Sequence, residues 1–120
     1  MEKEIIFTEH APFPLGPYSQ AIMANGTLYC SGQIAIDALD ADVATQTHQV
    51  CKNIAAVLEA AGLDLQHVVK NTCFLADMGD FAAFNKVYEQ YFAHKPARSC
   101  VAAKELPKGA AVEIEAIAVK

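Results

Sequence analysis

Val68-Val69-Lys70-Asn71-Thr72-Cys73-Phe74-Leu75 is the stretch that decides the fold. It reads as a β-strand whose apolar residues face both ways instead of alternating cleanly with polar ones. Such a strand belongs in a sheet covered on both faces. On either side of it the hydrophobic period changes. Upstream, Val43, Thr47, Val50, Ile54, Val57, Leu58 and Ala61 recur at three- and four-residue steps, tracing one helix face over Asp42–Ala61. Asp40 or Asp42 can cap its start, and Gly62 can end it in a left-handed turn. Downstream, Phe81, Phe84, Tyr88 and Tyr91 share one face of a second helix from Phe81 to Phe92, with Asp80 as N-cap and Pro96 beyond its end.

Outward from this centre the remaining elements are strands. Ile5-Ile6-Phe7 is a short apolar stretch, followed by a loop from Ala11 to Tyr18 whose path is fixed by Pro12, Pro14, Gly16 and Pro17. Ala21–Ala24 and Thr27–Ser31 flank Asn25-Gly26, the pair that a type I′ hairpin turn favours because both positions need positive φ. Ser99–Ala103 and Val112–Val119 read as the last two strands, with Pro107 and Gly109 marking the turn between them. The order is β-β-β-α-β-α-β-β, an α+β fold in a single domain over residues 1–120. Right-handed crossovers put both helices on one face of a mixed sheet. The opposite face then has no helix to cover it, and an apolar face of that size predicts burial by self-association.

Composition narrows the function classes. The 120 residues are 53% hydrophobic and 19% charged, which describes a compact globule and not a disordered chain. A net charge of −5 with nine basic residues argues against nucleic acid, whose binding needs clustered Lys and Arg. Met1-Glu2-Lys3-Glu4 opens no secretory leader, and no apolar run is long enough for a membrane helix, so a cytoplasmic protein is expected. Cys30, Cys51, Cys73 and Cys100 include no C-x-x-C pair, and buried free thiols are expected. His48 and Cys51 make half a metal site at most, so no metal is assigned.

Several segments can carry chemistry. Gly16-Pro17-Tyr18-Ser19-Gln20 is a rigid turn that delivers an aromatic hydroxyl, although a tyrosine that simply packs explains Tyr18 equally well. Ser31-Gly32-Gln33 ends a strand on a glycine, which serves either a bulge or the close approach of a ligand. Arg98 is the sole arginine among lysines, and a guanidinium fork grips a carboxylate in a way lysine does not; a structural ion pair is the alternative. Glu113 and Glu115, two apart on the last strand, share the face opposite Val112, Ile114 and Ala116. Ile117 and Val119 lie on that same face, which suits an interface better than open water. A carboxylate there can act as a base toward water.

Six stretches in order resemble the RidA-type reactive intermediate deaminases. They are GPYSQA (16–21), SGQI (31–34), NIAAVLEAAG (53–62), FAAFNKVY (81–88), PARSCV (96–101) and LPKGAAVEIEAIAV (106–119). The resemblance spans nearly the whole chain. It implies a chorismate-mutase-like fold, a homotrimer with a central barrel, and sites in the clefts between subunits. It also implies hydrolysis of 2-imino acids such as 2-iminobutanoate and 2-iminopropanoate to 2-keto acids and ammonia, with no cofactor. Arg98 would hold the substrate carboxylate and Glu113 would serve the hydrolytic water. Tyr18, Ser31, Gly32, Asn85 and backbone groups near Cys100 would shape the pocket; for Cys100 itself a packing and backbone role is expected over a nucleophilic one, because no His is part of its motif to form the thiolate. A non-catalytic keto-acid-binding trimer and a holdase chaperone are the alternatives. The chain departs from the family pattern after Ile34, where Ala35 leads into Asp37, Asp40 and Asp42, and in a short segment from Tyr91 to Pro96.

Overall fold

The computed structural model describes residues 2–120; Met1, part of the stretch read for a leader, lies outside them. Its elements are β1 (Lys3–Ile6), β2 (Ala21–Ala24), β3 (Thr27–Gln33), α1 (Val43–Ala60), β4 (Val68–Leu75), α2 (Phe81–Tyr91), β5 (Ala97–Ala102) and β6 (Val112–Val119). The six strands form one sheet in the order β1-β2-β3-β6-β4-β5. Four pairings are antiparallel and β4–β5 is parallel. Both crossovers, β3-α1-β4 and β4-α2-β5, join parallel strands and progress the same way across the sheet, so both helices lie on one face, as the sequence pattern requires.

Local chemistry sets the boundaries. Asn25 and Gly26 have φ of 52° and 79°, the two left-handed residues of the β2–β3 hairpin. Asp42 caps α1 by accepting from the Thr45 N–H at 2.9 Å. At the other end Gly62 donates to Glu59 O and Leu63 to Leu58 O, each at 2.9 Å, which is a Schellman closure on a glycine of φ 77°. Asp80 holds the expected N-cap position of α2 but not the capping role. Asp80 makes no side-chain capping bond, and Asp77 instead accepts from Gly79 N at 2.8 Å to start the 3₁₀ turn that leads into the helix. Two aspartates flank that turn, and only one can reach a free N–H.

The core lies between helices and sheet. Val50, Ile54, Val57 and Leu58 of α1 and Phe84 of α2 pack on Leu28, Cys73, Leu75, Val112 and Ile114. Ile54 has no exposed surface. Ile54→Ala is therefore expected to cost about 2–5 kcal/mol by leaving a cavity. Lys52→Ala, on the outer side of the same helix, should change stability by less than about 0.5 kcal/mol. Urea midpoints of the two variants check this.

The helix-free face is different. Tyr29 and Ile117 pair across β3 and β6, Phe74 and Val101 across β4 and β5, and Val119 lies in the same layer. Tyr29, Val101 and Val119 are exposed. In β4 the two faces separate as Asn71, Cys73 and Leu75 toward the helices and Lys70, Thr72 and Phe74 away from them, after a bulge between Val68 and Lys70.

Candidate active site

Part of the predicted site assembles on the helix-free face. The loop after β1 brings Leu15, Gly16, Pro17 and Tyr18 over the end of β3, where a register shift between Cys30 and Gln33 marks a bulge at Ser31-Gly32. Together with Ile34, Pro107, Glu113 and Glu115 they line a cavity of about 450 Å³. Tyr18 Oη accepts from Leu15 N–H at 3.0 Å, so its phenol proton stays available to a ligand. Ser31 Oγ donates to Ser19 O at 2.6 Å, so its lone pairs are what it offers the cavity.

At this bulge Gly32 packs against Glu113. A Cβ on it would lie 2.9 Å from Glu113 Cδ and 3.1 Å from Cγ, with a carboxylate oxygen closer still. The Glu113 carboxyl occupies the space a side chain at Gly32 would fill, so any larger residue there has to displace it. Burial raises the Glu113 pKa from its ordinary value, and the nearby charge of Glu115 adds to the rise. The folded protein thus holds this proton more tightly than the unfolded chain does, and stability falls as pH rises between the two pKa values. Glu113→Gln is expected to match the parent's melting temperature at about pH 4 and exceed it at about pH 8. Equal melting temperatures at both pH values would show that the carboxyl carries no such penalty.

The other predicted residues assemble elsewhere. In the parallel β4–β5 register Arg98 stands opposite Asn71 and Cys100 opposite Cys73, so both point toward α2. Glu113 stands opposite Phe74, on the other face. Arg98 Nη1 donates to Asn85 Oδ1 at 2.8 Å. Its guanidinium lies 4.9 Å from the Tyr88 ring centroid, 5.6 Å from Phe81 and 5.8 Å from Phe84. Three ring faces hold the cation by their quadrupoles. Among the described residues only that one hydrogen bond is made by a group with five N–H donors, so the fork is held but not consumed. Asn85 therefore belongs with Arg98, not with Tyr18 and Ser31.

The thiols suit packing. Burial pushes Cys51 and Cys73 up to about 12. It raises Cys100 as well, against the opposing pull of the Arg98 charge. A thiol so protonated is a poor nucleophile. His48 turns its Nδ1 to Tyr91 Oη at 2.8 Å, and Cys51 is sealed in the core, so the half metal site of the sequence has no common ligand position. A further hollow of about 290 Å³, between the N-terminal loop and α1 at His10, Asp37 and Asn53, contains none of the predicted residues.

Sequence reasoning missed the apolar wall formed by Leu15, Pro17, Ile34 and Pro107, and the aromatic box around Arg98. The spacing of Phe81, Phe84 and Tyr88 was visible. It read as core because nothing local tells a ring that packs from a ring that also holds a cation.

The model of the endoribonuclease L-PSP family matches residues 8–120. The chain belongs to that family, the RidA family of the motifs above. It is 53% identical over 124 residues to a RutC family protein of Pyrococcus horikoshii, covering 98% of each chain. It is 43% identical to the human 2-iminobutanoate/2-iminopropanoate deaminase, covering 98% of this chain and 90% of that one. Its fold superposes on the E. coli TdcF crystal structure with bound serine at a TM-score of 0.93 and 40% identity, over 98% of each chain. The α+β, chorismate-mutase-like fold expected from the RidA-type motifs is the fold observed.

Proposed function

We propose that this member of the RidA family hydrolyses 2-imino acids, such as 2-iminobutanoate and 2-iminopropanoate, in a cleft between two copies of the chain. The observation that carries this reading is the separation of Arg98 from Glu113 by the thickness of the sheet. Each residue stands in half of a site. One half is a guanidinium with unused donors; the other is a carboxyl of raised proton affinity beside a cavity. Self-association through the exposed helix-free face would cover Tyr29, Val101 and Val119, and in a cyclic trimer the edge strand β5 of one copy can meet the cavity of the next. The human relative's name and the serine in the TdcF structure support a small ligand bearing an α-carboxylate.

The chemistry then follows from the groups. Arg98 grips the substrate carboxylate bidentately and is too basic to move a proton. Glu113 takes a proton from water as the oxygen adds to the imine carbon, giving a tetrahedral amino alcohol. It returns that proton to nitrogen and takes the hydroxyl proton as the C–N bond breaks and C=O forms, then passes it to the leaving ammonia, so that the 2-keto acid and ammonium are released. A carboxyl of raised proton affinity suits a group that both takes and returns a proton. The protonated imine is already an electrophile, so the reaction needs no cofactor. The family description names an endoribonuclease, but a cleft edged by Glu113 and Glu115 in a chain of net charge −5 repels a phosphodiester backbone.

Coupling the protein to a threonine dehydratase and following 2-oxobutanoate tests the reading. Release faster than the spontaneous rate is expected, and light scattering should give three times the chain mass. No acceleration, together with thermal protection by keto acids, would mark a binding protein instead.

A further inference from the structure

The geometry points to Gln20 as a positioning residue that clamps the Thr8–Tyr18 loop into the shape the cavity requires. This inference rests on the proposed reaction at that cavity. Gln20 is 2% exposed and lies where the loop enters β2. Its side-chain amide is spent on the loop. Oε1 accepts from Thr8 N at 2.7 Å, while Nε2 donates to Thr8 O at 3.0 Å and Pro12 O at 2.9 Å, with Ala11 O at 3.4 Å. One buried group therefore fixes both ends of the Thr8–Pro12 segment. The backbone of the same residue continues the tie on the other side. Gln20 O accepts from Ser31 N at 2.9 Å, and the adjacent Ser19 O accepts the Ser31 hydroxyl.

Gln20 thus couples the loop that delivers Leu15, Gly16, Pro17 and Tyr18 to the bulge that carries Ser31 and Gly32, without lining the 450 Å³ cavity itself. Leu15 and Tyr18 are exposed and contribute little packing of their own, so the loop's position depends on polar anchors. Loosening the clamp lowers the fraction of molecules with the loop in place. Apparent affinity falls by that fraction, while the chemistry in a filled site does not change.

Gln20→Leu keeps the bulk and removes all the amide bonds. In the coupled imine assay KM should rise about tenfold with kcat within about twofold of the parent. A residue that merely stabilises the fold would lower the melting temperature and the amount of active protein but leave KM alone. KM within about twofold of the parent in folded Gln20→Leu overturns the proposal. Hydrogen exchange supplies a readout without turnover: the Leu15 and Tyr18 amides should exchange at least about tenfold faster in the variant, with β6 unchanged. Unchanged exchange in the loop overturns the clamp. Faster exchange in the variant, with no imine turnover by the parent, supports the clamp and overturns the reaction. Should Gln20→Leu fail to fold, Gln20→Glu keeps the test alive. Ionised, it turns a negative charge on three carbonyls; protonated, it can accept from Thr8 N and donate to Pro12 O. Its KM relative to the parent's should fall between about pH 8 and about pH 6, and a flat ratio overturns the proposal.

Discussion

Arg98→Ala is expected to lower kcat/KM for 2-imino acids by about two to three orders of magnitude while the protein stays folded. Truncating one partner of a desolvated, hydrogen-bonded charge pair costs about 2–5 kcal/mol, and each ~1.4 kcal/mol is a factor of ten. The loss to stability is smaller because Arg98 is half-buried on an edge strand and touches the protein through one hydrogen bond and three ring faces. Such cation–π contacts contribute about 0.5–1 kcal/mol each at exposed sites. Arg98→Lys separates charge from shape. It keeps the cation but loses the planar fork, and should recover no more than about tenfold of the activity lost. Steady-state kinetics on both variants, beside their melting temperatures, check this. A kcat/KM for Arg98→Ala within about threefold of the parent would remove the carboxylate clamp from the mechanism.

The local rules of the fold were legible because each acts within a few residues. Asn25-Gly26 has one turn chemistry open to it, and the helical period of α1 ends on a glycine that closes it. The expectation that β4 is apolar on both faces holds only in part: Cys73 and Leu75 face the helices, but Lys70 and Thr72 share the other face with Phe74, because a bulge between Val68 and Lys70 resets the alternation. Strand order was not legible. That β6 enters between β3 and β4 is decided by pairing across the length of the chain, and no residue in Val112–Val119 announces its neighbours. Boundaries drifted for the same reason: β5 begins at Ala97, where pairing with Lys70 starts, and not at Ser99.

The sequence offers candidate site residues but not their relations. Gly32 sits at a bulge, as its sequence suggests, but nothing local shows that Glu113 fills the space beside it. Asn85 reads as a pocket residue until its oxygen is found on Arg98. Gln20 closes the Gly16–Gln20 turn singled out in sequence, but its burial and its bonds to the loop are not visible there. Above all, the face on which Arg98 points depends on the β4–β5 register, and that register set it apart from Glu113.

That separation gives the sharpest expectation. Glu113→Gln removes the proposed proton acceptor while keeping the shape beside Gly32, and should reduce kcat by about two to four orders of magnitude. It should be as inactive by itself as Arg98→Ala is. If Arg98 and Glu113 of one site come from different copies, unfolding and refolding the two inactive variants together must restore activity. Chains that carry Arg98→Ala still offer Glu113, and chains that carry Glu113→Gln still offer Arg98. In an equimolar mixture of randomly assembled trimers about a quarter of the sites receive an intact residue from each side, and those sites should turn over at the parent rate. A site built within one chain has no such recourse, because every chain lacks one of the two groups. Mixed assemblies as inactive as their components would show that no site draws Arg98 and Glu113 from two chains, and the cleft between copies would have to be abandoned as the place of reaction. Recovery near a quarter requires that the two faces of one sheet serve two different sites.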